Sequence, residues 1–101
     1  MLAEFSIVPL DKGVSLSKYV SKILDKVDKS GLEYQLTPMG TIVEGEWDEV
    51  MDLIKRCHGE MKEHSDRVET KISIDDRKGA ENRITGKIKS VEETLGRELK
   101  K

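Results

Sequence analysis

The chain is short of the groups that covalent, redox or metal chemistry needs. It has a single cysteine, Cys57, so no disulfide can close within it, and a lone thiol fits a reducing compartment. Its two histidines, His58 and His64, sit near that cysteine. Structural zinc asks for four ligands at recognisable spacing, and no second cluster exists to complete the set. A thiol nucleophile paired with a base on the same apolar helix stripe is equally poor. Aromatic residues amount to one Phe, one Trp and two Tyr. RNA-recognition sheets stack bases on exposed aromatics, whereas Phe5 is expected to face inward and the last strand has none. No GxxxxGK[ST] loop is present to cradle phosphates. No apolar run nears the roughly 18 to 20 residues of a membrane span, and the chain opens directly on strand-like sequence without a signal-peptide pattern. One-signed charge is missing too. Eighteen basic residues face 20 acidic ones, for a net charge of −2, so the concentrated basic face that nucleic acid requires is absent. The expectation is a soluble cytoplasmic protein with no nucleic-acid or membrane partner and no catalytic residue, metal or bound cofactor.

What is present is periodicity. The 101 residues are 36% hydrophobic and 38% charged, enough for one compact domain with a small core that gains from oligomerising. Residues 2–8 alternate, with Ala3, Phe5 and Ile7 on one side and Glu4 and Ser6 on the other, as in a half-buried strand that Pro9 ends. Leu16, Tyr19, Val20, Ile23, Leu24 and Val27 then recur at helical spacing, with Ser15 as N-cap, Val14 as a staple and Gly31 as the stop. Strands at about 32–37 and 41–45 flank the turn Pro38-Met39-Gly40. A second helix is expected from Trp47 to about His64, its stripe being Trp47, Val50, Met51, Ile54, Cys57 or His58, and Met61. Glu46, Asp48 and Glu49 suit its positive end. A fourth strand covers Val68–Asp75. After the break at Arg77-Lys78-Gly79, the seam Ile84, Ile88, Val91, Leu95 and Leu99 predicts a third helix of about five turns.

The order βαββαβ gives an α+β fold, the ferredoxin-like plait: an antiparallel four-stranded sheet with two helices on one face, plus the C-terminal helix. Residues 1–101 form one domain, with 80–100 as a helical extension. The helices are expected to cover Phe5, Ile7, Leu36, Ile42, Ile72 and Ile74. The open face would carry Glu4, Ser6, Gln35, Thr37, Thr41, Val43, Lys71 and Ser73, while simple alternation puts Glu44 on the side of Ile42. Small polar groups around the hairpin recognise by hydrogen bonds and perform no obvious chemistry. An open face of this mixed character is expected to pair with a second copy of the chain.

The segments Glu4–Leu10, Ser15–Val20, Tyr34–Thr41, Glu44–Trp47 and Lys71–Arg77 together resemble the small thiamine-binding protein family, over about residues 1 to 96. The hairpin motif carries most of the specificity. The resemblance implies a ferredoxin-like fold, dimers assembled into homotetramers, and thiamine or its hydroxymethylpyrimidine moiety as ligand. An aminopyrimidine presents an exocyclic donor beside ring-nitrogen acceptors. Gln35 offers both a donor and an acceptor, and Ser6, Thr37 and Thr41 add hydroxyls. Met39 can pack on a flat ring, and Glu44 or Glu4 could face the thiazolium cation. The reading that follows is a non-enzymatic carrier, buffer or sensor with sites at subunit interfaces. A structural or regulatory oligomer answering another metabolite or a protein partner stands second, and an enzyme third.

Overall fold

The computed structural model describes residues 1–13, 16–79 and 82–100. The elements are β1 (Leu2–Pro9), α1 (Ser17–Lys29), β2 (Glu33–Thr37), β3 (Gly40–Glu44), α2 (Trp47–Lys62), β4 (Val68–Asp75) and α3 (Arg83–Leu95). The strands form one sheet in the order β2-β3-β1-β4, every neighbouring pair antiparallel. The ferredoxin-like α+β plait expected from the periodicities is the observed fold. Ser15 and Val14, expected to start α1, lie outside the described residues.

The core lies between the sheet and the layer of α1 and α2. Ala3, Phe5, Ile7 and Val43 supply its floor, and Ile23, Val27, Val50, Leu53, Ile54, Cys57 and Met61 its roof. The α2 stripe is rotated from the expected one. Leu53 is fully buried, while Trp47 is half exposed at the first turn. Positions 50, 53, 54, 57 and 61 fit one helical face better than a stripe that begins at 47. Burial of Cys57 pushes its thiol up to about 11, so little thiolate exists at neutral pH.

The hairpin corrects the expected faces. Its turn has only two central residues, Pro38 and Met39, so Thr37 pairs with Gly40, Leu36 with Thr41 and Gln35 with Ile42. Residues directly opposite share a face. Thr41 and Val43 therefore stand with Phe5 and Ala3 on the helix side, and Ile42 stands with Glu4 and Gln35 on the open side. The expected arrangement, with Leu36 and Ile42 on one face, would need a loop longer by one residue; a single-residue slip inverts a strand. Leu36, Ile72 and Ile74 do share the helix face but remain 50%, 40% and 39% exposed, because they lie on the two edge strands.

α3 stops at Gly96, whose φ of 72° is the left-handed conformation that ends helices. Leu99 therefore falls beyond the helix, and α3 is shorter than the expected five turns. Its start is held by the open face of the sheet. Glu44 accepts hydrogen bonds from the Arg83 N–H (3.0 Å) and the Ile84 N–H (3.2 Å). Arg83 donates to the Asp75 carboxylate (2.5 Å) and to the Asp75 carbonyl (3.3 Å). That guanidinium holds the Asp75 carboxyl below its ordinary range. A depressed folded pKa makes the contribution complete above the unfolded value of about 3.9 and lost as pH falls through the folded value. On acidification from about pH 6 to about pH 2, amide protection in α3 is expected to collapse before that of the core strands. Asp75→Asn should reproduce the loss at neutral pH. Unchanged α3 protection over that range would contradict the clamp.

Candidate functional site

Where the hairpin tip approaches α1, the helix side of the sheet is left open. A cleft of about 200 Å³ is bounded by Val20, Ile23 and Leu24 of α1, by the hairpin residues Leu36 to Thr41 and by β1 from Phe5 to Val8. Its walls are mainly aliphatic. The volume suits one small ring, since drug-sized ligands need about 300 Å³ or more. Tyr34 fixes one wall by donating its hydroxyl to Asp28 of α1 (2.5 Å).

Four of the six residues expected at a site meet here. Thr41 is only 6% exposed, beside Phe5 in the sheet, and its hydroxyl has no hydrogen-bond partner among the described residues. An uncommitted hydroxyl in an apolar wall is a group with recognition capacity to spare. Thr37 is different. Its hydroxyl donates to the Gly40 carbonyl (2.8 Å) and accepts from the N–H groups of Met39 (3.2 Å) and Gly40 (3.0 Å). That hydroxyl builds the turn. Met39 is 85% exposed at the rim. Ser6 lines the cleft from β1, yet its side chain shares the open face with Lys71. There it borders a shallow hollow with Glu4, Met39 and Ser73.

The other two are elsewhere. Gln35 lies on the open face in the row Gln35–Ile42–Glu4–Ser73. Glu44 caps α3. The aliphatic wall from α1 and the backbone of β1 were not foreseen as parts of a site. No signal in the sequence marked them: Leu36 was expected under the helices, and its exposure, which marks the gap in the cover, appears only in the fold.

A larger open hollow of about 430 Å³ lies between the end of β4 and α3, lined by Arg77, Lys78, Arg83 and Lys87. Arg83 is already committed to Asp75 there. Among the described residues no three His, Cys, Asp or Glu side chains converge as metal ligands, and no helix is long and apolar enough to cross a membrane.

The molecule is thus a ferredoxin-like α+β domain with a small apolar cleft at its hairpin tip. It belongs to the thiamine-binding protein family, whose model matches residues 3–92. Among its relatives is the UPF0045 protein MJ1052 of Methanocaldococcus jannaschii, 41% identical over 93 residues, covering 92% of this chain and 93% of the relative. The crystal structure of MJ1052 superposes with a TM-score of 0.84 over 91% of this chain and 95% of that one. The UPF0045 protein YqgV of Bacillus subtilis is 36% identical over 100 residues, covering 93% and 96% of the two chains. A Thermotoga maritima protein with a provisional assignment to thiamine biosynthesis or salvage shares the fold, with a TM-score of 0.72 at 23% identity over 94% of each chain.

Proposed function

We propose that the protein binds thiamine, or the hydroxymethylpyrimidine from which thiamine is built, in the cleft between α1 and the hairpin, and does not transform it. The observation that carries this reading is the free Thr41 hydroxyl in an aliphatic cleft of single-ring size, in a chain of the thiamine-binding family. Met39 at the rim and the adjoining hollow, which Glu4 lines together with Lys71, give the rest of the ligand somewhere to extend. The chain works as a cytoplasmic carrier, buffer or sensor built as a homo-oligomer, a dimer or tetramer. Two features favour self-association. The exposed Met39 and Leu36 leave apolar surface at the site, and α3 presents Val91 and Leu95 with no residue buried. The radius of gyration, 15.1 Å, exceeds the roughly 13 Å of a compact 100-residue domain, in keeping with an α3 that is held at its start but buries no residue of its own.

Titration calorimetry with thiamine and with hydroxymethylpyrimidine tests the reading. Heat of binding is expected from both. Thr41→Val should weaken binding by about tenfold, the worth of one hydrogen bond, without lowering the melting temperature. No heat with thiamine and none with hydroxymethylpyrimidine, at high micromolar protein, would overturn the proposal.

A further inference from the structure

The backbone of β1 shows which part of the cleft can read a ligand's edge. Main-chain groups along an antiparallel strand turn alternately to its two neighbours. At one end of β1, the Gly45 N–H donates to the Met1 carbonyl (3.0 Å), so odd-numbered residues face β3. At the other end, the Leu10 N–H donates to the Arg67 carbonyl (2.8 Å), so even-numbered residues face β4. The Phe5 carbonyl keeps this phase, since it lies 2.9 Å from where a Cβ on Gly40 would stand. Ile7 must then turn its N–H and its C=O toward the β3 side.

β3 does not reach that far. It begins at Gly40, and the last pair between the two strands is Phe5 with Thr41. On the β3 side no described strand stands beside Ile7, and no group among the described residues bonds its N–H or C=O there, although β4 pairs with Ile7 on the other side. Ile7 is nevertheless only 7% exposed and lines the apolar cleft. Buried backbone groups are almost always paired, so an unpaired donor and acceptor side by side in such a place are poised for a ligand. Pro9, the next residue on this edge, has no N–H. The free edge is too short to accept an added peptide strand, which needs several successive bonding residues.

We infer that the Ile7 main chain is the specificity element of the cleft and that it recognises a flat heteroaromatic ring bearing an amino group next to a ring nitrogen. The exocyclic amine donates to the Ile7 carbonyl, and the Ile7 N–H donates to the adjacent ring nitrogen. The Thr41 hydroxyl, one pair back along the sheet, bonds a further polar group of the ring. Leu24 and Leu36 close on its faces. This inference rests on the proposed pyrimidine-binding function and adds the atoms that select the ring.

Amide hydrogen exchange followed by NMR, combined with calorimetry, tests it. In the free protein, the Ile7 amide is expected to exchange at least about tenfold faster than that of Phe5. Saturation with hydroxymethylpyrimidine should slow Ile7 by about tenfold or more and move its proton resonance downfield. The analogue that lacks only the amino group should bind about tenfold more weakly. An Ile7 amide as protected as Phe5 in the free protein would overturn the inference whatever binds. Heat of binding with an unmoved Ile7 resonance, or equal affinity for the two pyrimidines, would overturn it while leaving the binding function standing. No heat at all would remove both.

Discussion

Leu53→Ala is expected to destabilise the fold by about 2–5 kcal/mol, the cost of deleting a leucine side chain where its surroundings relax only in part. That is a large share of the roughly 5–15 kcal/mol that holds a small domain together. Leu53 is fully buried in α2, in the same core as Val50, Ile54 and Cys57. The backbone of the helix and the strands beneath it prevent collapse into the space left behind. At about 4–8 °C per kcal/mol for a domain of this length, the thermal midpoint followed by circular dichroism should fall by at least about 8 °C. Trp47→Ala, on the same helix but half exposed, should cost less despite removing a larger side chain. The reverse ranking would show that the α2 stripe faces another way.

Gly40→Ala should damage stability and binding together. The new methyl would stand 2.9 Å from the Phe5 carbonyl oxygen, a backbone atom in the strand beside β3 that cannot swing away. Overpacking of this kind costs about 1–3 kcal/mol. The relief available is a shift of the hairpin tip, which would move Thr41 and Leu36 and reshape the cleft. Gly59→Ala supplies the opposite sign. Nothing lies within 4 Å of a Cβ there, and the position is exposed within α2. That substitution should stabilise by up to about 1 kcal/mol. Thermal melts of the two variants, with calorimetry of both against hydroxymethylpyrimidine, separate the cases. Gly40→Ala protein that binds and melts like the unaltered chain would refute the close approach.

The elements were legible because their causes are local. The alternation of Ala3, Phe5 and Ile7, the stripe from Tyr19 to Val27, and the breakers Pro38 and Gly31 act over a few residues each. The candidate site was legible only in part. Ser6, Thr37, Met39 and Thr41 come together around the hairpin tip, but Thr37 is consumed by the turn, and Glu44 serves α3. Gln35 sits on the other face of the sheet. Nothing in residues 35–44 taken alone states whether two or three of them form the turn, and that count decides which side chains share a face.

From the amino-acid order alone came the succession of strands and helices and the small core, because periodicity and composition are properties of the chain itself. Tertiary structure decided that Thr41 faces the helices, that Leu53 rather than Trp47 anchors α2, and that Ile7 has no partner among the described residues on its β3 side. Those outcomes depend on where one strand stops beside another, a distance measured across the sheet rather than along the chain.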